Sequence, residues 1–118
     1  MVKQGDIIWV NFNPQTGHEQ GGRRPALVIS NDSFTQITNK SAMVCPITGT
    51  DKNFPFHVKL DDRTKTTGFV LCDQAKIIDI RARNFEFIEK SPKDIVLEVI
   101  DIINGFIEIE NEAEIEIE

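Results

Sequence analysis

The sequence predicts a mainly β fold: a small antiparallel meander that curls into a barrel or half-barrel and carries a helix near its C-terminus. Three observations carry that reading. A chain of 118 residues leaves room for one domain and no second. Its apolar residues fall in short runs separated by turn chemistry, and the connections are too short for the crossover helices of a parallel sheet. A single strongly signalled helix follows the last run. The expected organisation is one domain over residues 1–106 followed by an acidic tail over 107–118.

The expected strands are residues 6–12, 26–30, 42–47, 56–60, 69–74 and 76–80, most only five to seven residues long. Within 56–60, alternation turns Phe56, Val58 and Leu60 inward and His57 with Lys59 toward solvent. The helix is announced by Ser91 as N-cap, Pro92 at the first helical position and Asp94 completing an S-x-x-D box, and Gly105 is its expected stop. Ile95, Val96, Val99, Ile100 and Ile103 form its apolar stripe. The tail IEIENEAEIEIE alternates with period two. It is read as a self-repelling acidic arm, an edge strand, or a competitor for a polyanion.

Residues 13–23, NPQTGHEQGGR, place three glycines and many hydrogen-bonding side chains between two strands with nothing apolar to bury. That composition predicts a mobile surface loop, a candidate lid over a site.

The formal net charge of −6 argues against a nucleic-acid partner until it is located. Six glutamates lie in the tail, and removing them from the nineteen acids leaves thirteen against thirteen Lys and Arg. The body is neutral, so a basic face can form if Arg23, Arg24, Lys52, Lys76, Arg81 and Arg83 gather. Cys45 and Cys72 sit in apolar stretches outside any CxxC or Cys/His cluster, and read as reduced core thiols. No HExxH, GxxxxGK[ST], GxGxxG or GxSxG string occurs, so chemistry without a cofactor or metal is expected. No apolar run approaches membrane-spanning length and the start MVKQGD has no leader pattern, which points to a cytoplasmic protein.

Pairing residues 26–30 end to end with 42–47 sets Arg24 opposite Thr48, and pairing 56–60 with 69–74 sets Phe54 opposite Gln74. Strand parity then puts both pairs at one end of the sheet, beneath the glycine-rich loop with His18 and Gln20. A guanidinium, a hydroxyl, an aromatic ring and an amide on one rim suit a groove for a single-stranded polyanion. Each also has an ordinary role alone: Arg24 as a solvated edge charge, Thr48 as a turn residue before Gly49, Phe54 as core, Asp73 and Gln74 as strand caps.

The strings GDIIWVNFNPQTGHEQGGRRPALVIS, PITGTDKNFPFHVKL and GFVLCDQAKIIDIRAR resemble, in order and spacing, the signature segments of the MazF/PemK family of type II toxin–antitoxin toxins. The match spans most of the chain through Arg83, and the loop HEQGGRRP is its most specific part. The resemblance implies an SH3-like or CcdB-like barrel that forms a homodimer. It also implies a sequence-specific, metal-independent endoribonuclease that cuts single-stranded mRNA and is neutralised by a MazE-like antitoxin. Position by position, it implies catalytic roles for Arg24 and Thr48, and RNA contacts by His18, Gln20, Phe54, Asp73 and Gln74. The Kid-like branch has an arginine where this chain has Leu71, so the Arg24 and Thr48 scheme is favoured over one built on Asp73 as base. Three other readings stand beside it: a CcdB-type binder of a topoisomerase, an RNA-binding barrel without turnover, and, least favoured, a ribonuclease using His18 and His57.

Overall fold

The structure, a computed structural model, describes residues 1–110. In chain order it runs β1 (Asp6–Asn11), β2 (Arg23–Val28), α1 (Asp32–Thr38), β3 (Ser41–Thr48), β4 (His57–Lys59), β5 (Phe69–Leu71), β6 (Lys76–Asp79), β7 (Glu86–Lys90) and α2 (Lys93–Ile107). Every strand pair is antiparallel, in the order β4-β5-β3-β2-β1-β7, with β6 also paired to β3. The mainly β architecture with its C-terminal helix is the one the sequence predicts.

The strand β3 is shared by three neighbours. Its middle pairs with β2, its first half with β6 and its last two residues with β5. That branching bends the sheet around a core. Both faces are buried, so alternate residues of one strand serve different clusters. Ile7 packs with Leu27, Cys45, Ile47 and Val70 beneath α2, while Ile8, Val10 and Phe12 pack with Val28, Val44 and Ile78 on the other side.

The helix α2 buries Ile95, Val96 and Val99, with Ile100 and Ile103 partly covered, as its stripe predicts. Its ends differ from expectation. The expected capping box does not form: the Ser91 hydroxyl donates to the Pro92 carbonyl at 3.1 Å, and Asp94 instead accepts from Arg63. Gly105 is not a stop, because the helix runs on to Ile107, where the backbone turns extended at Glu108. A glycine ends a helix by adopting positive φ, and nothing in the packing requires that of Gly105.

Three further boundaries differ. The expected strand 69–74 ends at Leu71, and Cys72–Gln74 forms a tight 3-10 turn. The strand expected over 56–60 starts only at His57, because the Phe54 carbonyl accepts from His57 N at 3.1 Å and puts Phe56 in a turn. Both α1 and β7 go unread in the sequence. The first is a seven-residue helix capped by the Asn31 side chain, which accepts from Phe34 N at 2.9 Å, and ended by Asn39 at φ 67°. Most of the tail predicted for 107–118 lies outside the described residues. No helix among the described residues is long and apolar enough to cross a membrane.

The loop between β4 and β5 is tied to the rest of the fold by charge. Arg63 bridges Asp61 and Asp94, and its hydrogen bonds hold both carboxyls below their ordinary range. Desolvation would raise the Glu89 pKa, but bonds from Lys65 N, Thr66 N and the Thr66 hydroxyl outweigh it and lower the value. A carboxylate with a depressed folded pKa stabilises fully above its ordinary value, 4.5 for Glu89, and loses that contribution as pH falls through the folded value. The protection of the Lys65 and Thr66 amides, measured as exchange relative to the unstructured-chain rate at the same pH, should therefore hold at neutral pH and fall on acidification below that point. In the core, Leu27→Ala should cost about 2–5 kcal/mol in urea unfolding, because the fully buried site cannot collapse freely.

Candidate nucleic-acid site

The pairing of Ala26 with Pro46 and Leu27 with Cys45, carried two residues further, places Arg24 opposite Thr48 as the sequence register predicts. Arg24 is half-buried. Its Nε donates to the Gly21 carbonyl at 2.9 Å and its Nη1 reaches the Ile47 carbonyl at 3.5 Å. The guanidinium is thus held at the β2–β3 rim, and among the described hydrogen bonds none uses Nη2. Thr48 is buried, and its hydroxyl oxygen accepts from Thr50 N at 3.3 Å.

The loop 13–23 is pinned rather than left free. Phe12 N donates to the Gly22 carbonyl at 2.9 Å, Gly22 N to the Asn13 side chain at 2.8 Å, and Gln20 N to Gln74 Oε1 at 2.7 Å. Glu19 accepts from Lys76 at 3.1 Å. Gln20 and Gln74 thereby meet in a cleft of about 180 Å³ that Pro46 and Asp73 also line. His18 is exposed on the same loop and takes part in none of the described hydrogen bonds.

The register of β4 with β5, His57 opposite Leu71, agrees with the expected offset, although the pairs stop short of Phe54 and Gln74. The expectation that both pairs share one end of the sheet is corrected. Thr48 pairs with Phe69, at the opposite end of β5 from Gln74, because the chain leaves the strand at Leu71 and folds back to pair β6 with β3. Gln74 joins the rim through the loop, beside Pro46.

His57 is the second correction. Read as solvent-facing, its side chain is only 7% exposed, and Nε2 lies 3.3 Å from Asp73 Oδ1. Phe54 covers it with ring centroids 5.1 Å apart, while Phe56, expected inside, is 37% exposed. The turn at Phe54–Pro55 shifts the alternation. The register held the missed signal: with His57 opposite Leu71, Asp73 is its diagonal neighbour. His57 also lines a second cleft of about 400 Å³ with Asp51, Phe54 and Phe69. Asp73 lines the smaller cleft and His57 the larger, so the two clefts flank the His57–Asp73 contact and together make the candidate groove.

Four of the six candidate cations are taken up by other partners. Arg23 bridges Glu86 and lies over the Trp9 ring, Lys76 bridges Glu19, Arg81 bonds the Asn39 carbonyl and Arg83 the Asn13 carbonyl. Arg24 and Lys52 are in no salt bridge among the described residues. Burial, reinforced by the Asp73 charge, pushes the Cys72 thiol up to about 12, and burial pushes Cys45 higher still. Neither is a nucleophile at neutral pH.

The fold and rim define a small curled antiparallel sheet, closed by a C-terminal helix and grooved beneath a glycine-rich loop. The family model described as PemK-like, MazF-like toxin of type II toxin–antitoxin system matches residues 3–107, and the chain belongs to that family. It is 38% identical over 104 residues to an endoribonuclease PemK of Escherichia coli, covering 84% of this chain and 77% of the relative. A crystal structure of MazF from Deinococcus radiodurans superposes with a TM-score of 0.83 at 38% identity, over 89% of this chain and 94% of that one. A MazE–MazF complex from the same organism superposes at 0.77 with 38% identity over the same shares.

Gly68 sets the position of Thr48. It holds φ 118°, and a Cβ there would collide with the Thr48 carbonyl oxygen. Gly68→Ala should lower stability by about 1–3 kcal/mol in thermal unfolding. Amide shift changes in an NMR spectrum should centre on Thr48 and Gly49.

Proposed function

We propose that this chain is a sequence-specific, metal-independent endoribonuclease toxin that cuts single-stranded mRNA and leaves 2′,3′-cyclic phosphate and 5′-hydroxyl ends. Its family membership supports the activity, and the observation that carries the site is Arg24, fixed through Nε and Nη1 with Nη2 unengaged, beside Thr48. RNA brings its own nucleophile. Cleavage then needs the 2′-hydroxyl in line with the phosphorus, stabilisation of the dianionic phosphorane, and help for the departing 5′-oxygen. Arg24 supplies the second through charge-assisted bonds to the nonbridging oxygens. A guanidinium holds its proton, so Arg24 acts electrostatically rather than as a proton donor. Thr48 hydrogen-bonds the same phosphate.

Base recognition falls to the groove. Phe54, 44% exposed, offers a stacking face, and Gln74, Asp73, Gln20 and His18 offer polar contacts to unstacked bases. A homodimer in the cytoplasm, held inactive by a MazE-like antitoxin whose acidic segment occupies the groove, completes the reading.

Arg24→Ala should reduce cleavage of a long RNA at least about 100-fold in EDTA, the cost of one lost oxyanion donor, with the fold intact by circular dichroism. End mapping should find cyclic phosphates. Parental rates in Arg24→Ala would remove the assignment, and binding without cutting by the parent would favour a non-catalytic RNA-binding barrel.

A further inference from the structure

The C-terminal helix delivers the tail to the groove. Phe106 meets Phe56 edge-on with ring centroids 4.7 Å apart, Phe56 meets Phe54 at 5.4 Å, and Phe54 covers His57 at 5.1 Å. One residue past Phe106 the helix ends, and Glu108 is already extended. Ile107 and Ile109 are 76% and 79% exposed there, with no described core to enter.

From residue 107 onward every even position to 118 is glutamate, and the odd positions read Ile, Ile, Asn, Ala, Ile, Ile. In an extended chain this puts a carboxylate every ~6.7 Å along one edge and an apolar row along the other. A single-stranded RNA presents the same division, a regular row of anions on one side and flat apolar rings on the other. Phe54 lines the larger cleft and the exposed Phe56 packs edge-on against it. Lys52, between the lining residues Asp51 and Asn53, and Arg24 at the β2–β3 rim are cations without a salt bridge among the described residues. The eight residues past Glu110 reach ~26 Å when extended, most of the way across a molecule of 46 × 34 × 30 Å. The family match ends at residue 107, where this arm begins.

We propose that the acidic tail is a built-in occupant of the RNA groove, its isoleucines on the Phe54 and Phe56 rings and its glutamates toward Lys52 and Arg24, competing with substrate. The competition with RNA rests on the proposed ribonuclease reading, while the docking itself does not.

The test compares the full chain with one ending at Glu110 and with one carrying Glu→Gln at positions 112, 114, 116 and 118. Without RNA, at about 0.15 M salt where charges beyond ~8 Å are screened, removing residues 111–118 should shift the amide resonances of Asn53, Phe54 and His57. With RNA, truncation should lower KM about tenfold and leave kcat unchanged, as expected when a tethered competitor of millimolar effective concentration is lost. The Glu→Gln chain should fall between the two. Unchanged amide resonances overturn the docking, and a KM gain that vanishes with added salt while the resonances stay fixed assigns the tail to simple repulsion. If no version cuts RNA, the ribonuclease reading fails and the resonances still decide the docking.

Discussion

The antiparallel pairing of β2 with β3 places Ala26 opposite Pro46, and the rest of the site follows from that register. Because side chains alternate with period two, a slip of one residue would move Leu27 from the cluster beneath α2 into the one on the other face and turn Arg24 away from the rim together. The core therefore enforces the site. Leu27, Cys45 and Val28 are fully buried, so the register that satisfies them is the one that sets Arg24 across from Thr48. The Gly21 carbonyl then fixes the guanidinium's orientation, and Gly68 brings the next strand close behind Thr48.

The groove is assembled from elements of unequal rigidity. Its β2–β3 wall belongs to the buried sheet, whereas its far wall depends on a three-residue strand, a tight turn and loop contacts. The loop is anchored at the smaller cleft, by Gln20 to Gln74 and by Glu19 to Lys76. A polar loop can be ordered without an apolar side chain when its backbone finds partners in the neighbouring turn. Opening those few bonds would widen the groove while the sheet stays intact.

Much of this was legible in the sequence because short strands with matched apolar runs leave few registers. The offset that paired Arg24 with Thr48 holds, and the one that paired Phe54 with Gln74 holds over His57–Lys59, although the ladder stops before those two residues. What escaped was local. A turn at Phe54–Pro55 moved Phe56 out and His57 in, and periodicity cannot see a turn that consumes one residue. The end-of-sheet inference failed because it treated 69–74 as one strand, whereas the chain breaks at Cys72 to reach β6. The helix α1 is too short for its period to register, although Asn31 and Asn39 bracket it with a side-chain cap and a left-handed residue. β7 mixes charge and aromatics on an exposed edge, so it carries no alternation.

The two cysteines share the core cluster that lies between the rim and α2, and burial keeps both thiols protonated. They are spectators to the chemistry, yet their location gives them another use. An alkylating reagent can reach them only when the sheet parts from the helix, so the rate of thiol labelling in native buffer measures how often that seam breathes. The protein carries its own pair of internal clocks for opening, placed beneath the candidate site.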